Sequence, residues 1–576
     1  MRFIRIDMKE RSIREDAVPP EYQGLGGRGL IAACLNREVP PRCHALGSEN
    51  KLVISPGILS GTPFVNTSRL SLGAKSPLTG GIKESNVGGT PADLLGRHGV
   101  QALVVEGRPE SGSWMLLHID RSGQVALREC DHLAGMGTYE TASTLKSEYG
   151  EDCTVLCIGP AGERLYAIAS VQATDTDGRP CRAAGRGGMG AVMGSKGLKA
   201  VVIEPPDEDR VQIADPGGFR KAVAEVVRII KSDPMNSEVM PELGTAALVA
   251  PVNAMGAFPC YNARKGVFEG WEKISGEALA ELLKKRGGKP RHTGCSRCII
   301  HCSNEFVDES GAYVTSSLEY ETIWAMGGML GVDDLDTIAR LDFMCDDLGV
   351  DTMNAGVGMA VAMDSGHAPF GDREAVFRMM EDMARGTGLG PVLGAGPVAV
   401  GRHFNNPRVP AVKGQSIAAY DPRAMLGQGV TYATSPMGAD HTAGNMVGAY
   451  LTNQLNPRDK AGQVEVSREL QIAFAAFDTL GLCFIAAVSF LKPDSCASFA
   501  KAVGAKMGCE FGVEDFRQMG MSVLRAEREF NRRAGLLSRD DRLPKFFYEE
   551  PLPPTNAVFT LSDQELDSVF EELNES

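Results

Sequence analysis

Cys295, Cys298 and Cys302 stand in C-S-R-C-I-I-H-C, and Cys483 follows 181 residues after Cys302, inside D-T-L-G-L-C. Thiolates spaced C-x2-C-x3-C can converge on one iron–sulfur cluster, with a fourth ligand supplied by a distant loop. Two other readings fit the same spacing: a zinc site with His301 as a spare ligand, and thiols that are merely buried.

The surroundings of the fourth cysteine favour the cluster. Asp346-Asp347-Leu348-Gly349-Val350-Asp351 and Asp478-Thr479-Leu480-Gly481-Leu482-Cys483 share the pattern D-x-x-G-x-(D/C). Each follows one amphipathic run and precedes another. The glycine suits a helix C-terminus and the last residue suits the N-cap of the next helix. The leading aspartate then lies in the last helical turn, where the dipole disfavours a carboxylate. There it can accept paired N–H bonds from a flat heterocycle such as a pterin. Two ordinary helix–turn–helix corners are the plainer alternative. At a helix N-terminus the Cys483 thiol is expected to have a lowered pKa, which suits metal ligation.

Up to about Ala200 the chain reads as strands and turns. The runs K-L-V-I-S, A-L-V-V-E, T-V-L-C-I, A-I-A-S-V and K-A-V-V-I are separated by glycine-rich turns, which predicts sheets packed on one another. The N-terminal M-R-F-I-R-I-D-M-K-E-R alternates like an edge strand and lacks the apolar run of a signal peptide. Pro205-Pro206-Asp207-Glu208-Asp209 reads as a linker. Beyond it Asp215-Pro216 caps a predicted helix with Phe219, Val223, Val226, Val227 and Ile230 on one face. Helices dominate from there, with a second break at Pro407–Lys413. No internal repeat is apparent beyond the doubled six-residue motif.

The 576 residues carry 59 Lys and Arg against 73 Asp and Glu, a formal charge of −14, which argues against nucleic acid or an anionic membrane as partner. Fourteen cysteines are too few for a disulfide scaffold and point to a reducing, cytoplasmic setting. Gln471 to Leu491 is apolar, but Asp478 near its middle makes it a buried core segment rather than a membrane insertion.

Together these motifs resemble the tungsten-containing aldehyde:ferredoxin oxidoreductase family, and the resemblance covers nearly the whole chain. It is carried, in order, by N-T-S-R-L-S-L-G-A-K-S-P-L-T-G, S-N-V-G-G, R-A-A-G-R-G-G-M-G-A-V-M-G-S-K, the cysteine triplet, E-Y-E-T, both D-x-x-G motifs, G-A-D-H and F-N-R-R-A-G…R-D-D-R-L-P. The resemblance implies an α+β fold: a β-rich cofactor-binding base over residues 1–205, then two mostly helical domains over 206–410 and 411–576. It implies tungsten (or molybdenum) held by two pyranopterins, a [4Fe–4S] cluster on Cys295, Cys298, Cys302 and Cys483, and Mg2+ bridging the pterin phosphates.

Cofactor contacts are implied for Arg69, Asn86, Gly88, Arg182, Ala184, Gly185, Arg186, Asp346, Gly349, Asp351, Asp478 and Leu482. The guanidinium of Arg69 suits a phosphate, and the glycines let backbone N–H groups approach one. Glu321 in E-Y-E-T and His441 in G-A-D-H match the residues beside the metal, with Glu319 as rival to Glu321 and Thr352 adding a hydroxyl. Glu321 would take a proton from water and His441 would bond to the aldehyde or metal oxygen. An aldehyde would be oxidised to a carboxylate, or an acid reduced, with ferredoxin or an iron–sulfur subunit as electron partner.

One departure is Arg340, which stands about where some members carry a glutamate for an iron shared between subunits. That iron is expected to be absent, and a homodimer can form without it. Arg297 and His301 could tune the cluster or a partner's docking, or be plain surface residues. A subunit of a larger complex, such as a related tungsten benzoyl-CoA reductase, and a metal-bound scaffold without turnover are the alternative functions. E-Y-E-T, G-A-D-H and the four cysteines favour aldehyde oxidation.

Overall fold

A computed structural model describes residues 1–110 and 112–573. Six strands form the first sheet: β1 (Arg2–Asp7), β2 (Ser12–Asp16), β3 (Leu52–Pro56), β4 (Leu70–Lys75), β5 (Ile82–Val87) and β6 (Val100–Glu106), in the order β2-β1-β6-β3-β4-β5. Six more form the second: β7 (Met115–Ile119), β8 (Val125–Glu129), β9 (Thr154–Cys157), β10 (Val171–Ala173), β11 (Arg182–Ala184) and β12 (Leu198–Ile203), in the order β11-β10-β9-β12-β7-β8. Shifting every strand number by six turns one order into the other read backwards. Each sheet has one parallel pair, β1 with β6 and β7 with β12, and is otherwise antiparallel. A helix follows the second strand in each half, α1 (Gly27–Glu38) and α2 (Thr138–Tyr149).

The base is thus an internal duplication, contrary to the sequence reading that no such repeat exists. Its trace is faint: Gly96, Gly99, Ala102, Val104 and Glu106 recur as Gly194, Gly197, Ala200, Val202 and Glu204. Strand pairing constrains burial and turns rather than residue identity, so the halves could diverge while the topology held.

Three further expectations are corrected. The N-terminal strand is not the edge, because β2 covers it. Helices α1 and α2 interrupt what reads as strands and turns. The run A-I-A-S-V is not a strand; β10 starts only at Val171. Backbone groups of Ile168 and Ser170 instead pair with Asp351 and Gly349, so this apolar stretch serves a helical corner and not a sheet.

The helix at 216–232, α3 (Pro216–Ser232), forms as expected, with the Asp215 side chain accepting from Gly217 and Gly218 N–H. A small sheet follows, β13 (Lys289–His292), β14 (Ser303–Val307) and β15 (Tyr313–Ser316). Both D-x-x-G motifs fold as their pattern predicts. α4 (Leu335–Leu348) ends at Gly349 with φ 75°, and Asp351 caps α5 (Thr352–Asp364) through the N–H groups of Met353 and Asn354. α6 (Gln463–Leu480) ends at Gly481 with φ 80°, and Cys483 occupies the N-cap of α7 (Phe484–Ala487). α8 (Pro493–Met507) and α9 (Val513–Ala534) complete the bundle. Among the described residues no helix is long and apolar enough to cross a membrane, and Gln471–Leu491 lies largely in the core.

The two corners dock on equivalent points of the two half-bases. Gly57, just after β3, lies so close to Gly481 that an added Cβ would come within 2.2 Å of its backbone. Gly159, just after β9, would likewise meet the Leu348 carbonyl at 2.3 Å. The N-terminus of α1 abuts Asp478, and Thr138 at the start of α2 donates to the Asp346 carbonyl at 2.8 Å. Each half-base therefore receives one D-x-x-G corner, and the site lies between them.

Candidate active site

One cavity is lined by sixteen of the nineteen predicted residues: Arg69, Asn86, Gly88, Arg182, Gly185, Arg186, Cys295, Cys298, Cys302, Glu321, Asp346, Asp351, Thr352, His441, Asp478 and Cys483. Ala184, Gly349 and Leu482 are not on its wall. Ala184 is buried in β11 against Val171, Gly349 turns the backbone at the end of α4, and Leu482 bonds through its N–H to the Phe477 carbonyl. These three shape the elements that carry the wall.

The thiols gather at one end. The Gly89 N–H points to the Cys295 sulfur at 3.3 Å, and Asn66 Nδ2 and the His301 N–H point to Cys298 at 3.5 and 3.3 Å. An Arg69 guanidinium nitrogen lies 3.4 Å from the Cys483 sulfur. A Cβ on Gly88 would come within 2.6 Å of the Cys295 sulfur, so the turn there requires glycine. Burial raises the pKa of the Cys483 thiol, but the Arg69 charge and hydrogen bond and the Ala486 and Ile485 amides outweigh it, and the net shift is downward. The lowering owes more to Arg69 than to the helix start alone.

The spacing of the four thiols bears on the two readings, cluster and zinc. Four thiolates on one tetrahedral zinc at about 2.3 Å lie roughly 3.8 Å apart. Among the described residues the only three ligand-type atoms within 4.8 Å of one another belong to Asp177, His292 and Glu305, where Arg179 and Lys289 already pair with Glu305 at 2.5 and 3.2 Å. The four cysteines are not drawn in that tightly, which suits a larger cluster. His301 turns its ring nitrogen to Thr293 instead. Arg297 pairs with Asp93 at 2.7 Å, and Arg340 is exposed with its guanidinium 5.1 Å from the Phe377 ring.

At the other end His441 Nε2 lies 3.6 Å from Glu321 Oε1. Glu321 Oε2 accepts the Ala419 N–H at 2.9 Å, while Oε1 and His441 Nδ1 are buried without a hydrogen-bond partner. Burial raises the Glu321 pKa against the lowering influence of His441, Ala419 N–H and Arg186. Glu319 also lines the cavity, but its carboxylate is engaged: it accepts from Thr245 and lies 3.6 Å from Arg182. Thr352 Oγ1 is 3.0 Å from Thr322 Oγ1.

Buried charges line the space between. Arg182 donates to Ser303, and Arg186 donates to the carbonyls of Ala439 and Ser416; the Nε of each makes no hydrogen bond, that of Arg186 lying 3.8 Å from Asp351 Oδ2. Burial and Glu84 push Asp478 up to about 7 even with Arg28 at 3.2 Å, and burial with Asp342 pushes Asp346 up strongly. Asp351 reaches the wall, yet its carboxylate is engaged by Met353 and Asn354 N–H. Guanidinium nitrogens without hydrogen bonds and glycine-lined approaches are what a large anionic cofactor would satisfy.

Lys83, Glu84, Asn66, Asp342, Asp440 and Tyr420 also line the cavity and were missed. Lys83 and Asp440 form a buried pair at 3.0 Å directly beside His441. The signal was present: I-K-E-S-N-V places charged and polar side chains in a strand almost entirely buried. A polar run where an apolar one belongs marks a site.

The family model described as aldehyde ferredoxin oxidoreductase, N-terminal domain, matches residues 3–205, and that for domains 2 and 3 matches residues 221–574. The tungsten-containing aldehyde ferredoxin oxidoreductase of Pyrococcus furiosus is 35% identical over 96% of this chain and 92% of its own, and that of Thermococcus kodakarensis 34% over the same shares. A solved structure described as the active site complex BamBC of benzoyl coenzyme A reductase, with 1,5-dienoyl-CoA, superposes with a TM-score of 0.82 at 22% identity, covering 100% of this chain and 94% of that one. That likeness concerns the fold.

Proposed function

The chain belongs to the aldehyde ferredoxin oxidoreductase family, and from that premise we propose that it is a cytoplasmic enzyme oxidising aldehydes to carboxylic acids with water as oxygen source. Per turnover an aldehyde and a water yield a carboxylate, three protons and two electrons. A tungsten bis-pyranopterin, when bound, supplies the two-electron acceptor and the Lewis acid. Arg182 and Arg186, each with an Nε that makes no hydrogen bond, would hold its anionic groups. Asp346 and Asp478 would accept pterin N–H groups, and the Asn86–Gly88 turn would approach the phosphates and their Mg2+.

Glu321 is the base. One oxygen is fixed by the Ala419 N–H, and the other is open to take a proton from the attacking water. Burial raises its proton affinity, which favours that exchange. His441, held 3.6 Å away, would donate to the substrate oxygen as charge develops there. Lys83 and Asp440 fix the backbone on which His441 sits, and Thr352 narrows the approach. Cys295, Cys298, Cys302 and Cys483 would hold a [4Fe–4S] cluster that passes electrons singly to ferredoxin or an iron–sulfur subunit.

The observation that carries this reading is the Glu321–His441 pair facing the same cavity as the four thiols. Its test is aldehyde-dependent reduction of a viologen dye by the wild type and by Glu321→Gln. Loss of about 10²–10⁴-fold in kcat/KM at unchanged tungsten content is expected. Full activity in the variant would remove Glu321 from the chemistry.

A further inference from the structure

We propose that Asn66 is a positioning residue for the iron–sulfur cluster, and that its side-chain amide raises the cluster's reduction potential through the Cys298 sulfur. The inference rests on the cluster assigned under Proposed function. Asn66 lies between β3 and β4, is buried, and holds φ at 57°. Asparagine adopts that left-handed backbone more readily than most residues with a side chain. Each of its four polar groups engages one of the two loops that carry the cysteines. Its N–H donates to the Arg297 carbonyl at 3.0 Å, and its carbonyl accepts the Cys483 N–H at 2.8 Å. Oδ1 accepts the Ile299 N–H at 3.3 Å, and Nδ2 lies 3.5 Å from the Cys298 sulfur. One residue thus ties the cysteine triplet to Cys483.

Hydrogen bonding fixes which way the amide points. The Ile299 N–H can only donate, so the oxygen faces it and the NH2 group is left toward sulfur. Gly89 and His301 reach sulfur through backbone N–H groups, and Arg69 reaches Cys483 through a cation. Asn66 supplies a neutral side-chain donor. In the step it tunes, one electron enters the cluster; no bond forms or breaks and no proton moves. The added negative charge spreads onto the thiolate sulfurs, so a hydrogen bond to one of them strengthens on reduction and favours the reduced state. Glycine at this position would keep the left-handed φ and both backbone bonds and lose the amide alone. Aspartate would keep an acceptor for Ile299 but set an anion against the thiolate.

The test is a redox titration of the full-length, cofactor-loaded enzyme, following the EPR signal of the reduced cluster, with iron counted per chain and no substrate added. Asn66→Gly is expected to keep about four iron and to show a lower midpoint. Its reduction equilibrium should weaken by up to about tenfold, which is about 59 mV for one electron. Asn66→Asp should lower the midpoint at least as far. Where one variant loses iron, the other is decisive. A wild-type or raised midpoint at full iron would overturn the proposal. So would loss of iron in both variants, because the amide would then serve assembly and not potential. Wild-type protein without about four iron would overturn the cluster reading and this inference with it. An unshifted midpoint at full iron overturns this inference alone.

Discussion

Glu321 and Glu319 sit two residues apart, and their surroundings assign them different work. Glu319 is engaged by Thr245 and Arg182, whereas Glu321 keeps one buried oxygen free toward His441. Burial raises the Glu321 pKa, and only the ionised form can accept a proton. The rate should therefore fall as pH falls through that raised value. The acid limb of kcat/KM is expected above the ordinary glutamate range of about 4.3. A limb at or below that range, or the same limb in Glu321→Gln, would contradict the assignment. Sequence alone left the two glutamates as rivals, since both stand in one E-Y-E-T stretch; which one faces His441 depends on a helix phase and a loop that only the fold fixes.

At the scale of elements, the two D-x-x-G corners decide where cofactor ligands stand. Gly481 has φ 80°, and a Cβ there would meet Gly57 Cα at 2.8 Å, so the turn presenting Cys483 requires a residue without a side chain. Gly481→Ala is expected to cost at least about 1–2 kcal/mol from the left-handed backbone alone. It should also shift Cys483, lowering iron per chain. Gly349→Ala strains the matching corner, where φ is 75°, yet should leave iron content intact. Equal iron in both variants would separate the corner from the cluster. These corners were legible in the sequence because capping is local: aspartate, glycine and N-cap residue report their own turn. The A-I-A-S-V run was misread because its backbone partners, Gly349 and Asp351, lie about 180 residues away.

Across the whole molecule, buried charge ties the duplicated base to the helices. Arg28 in α1 is fully buried and pairs with Glu527 in α9 at 2.8 Å and with Asp478 in α6 at 3.2 Å. Removing one partner of such a pair leaves an uncompensated buried charge at a cost of about 3–5 kcal/mol. Glu527→Gln is expected near the lower end, because Asp478 remains. The measurement is the unfolding midpoint in guanidinium or, where unfolding is irreversible, the unfolding rate. A wild-type value would mean the contact is dispensable. Architecture and the four-cysteine grouping were readable from motif order, whereas the two-fold plan of the base was not, since it survives mainly in strand order.

The most direct test of the central claim is metal analysis of protein purified without oxygen, counting tungsten, molybdenum, iron and zinc per chain. The account predicts about one tungsten and about four iron, the content of one metal–pterin centre and one [4Fe–4S] cluster. Zinc bound to the cysteines, with neither tungsten nor molybdenum present, would contradict it.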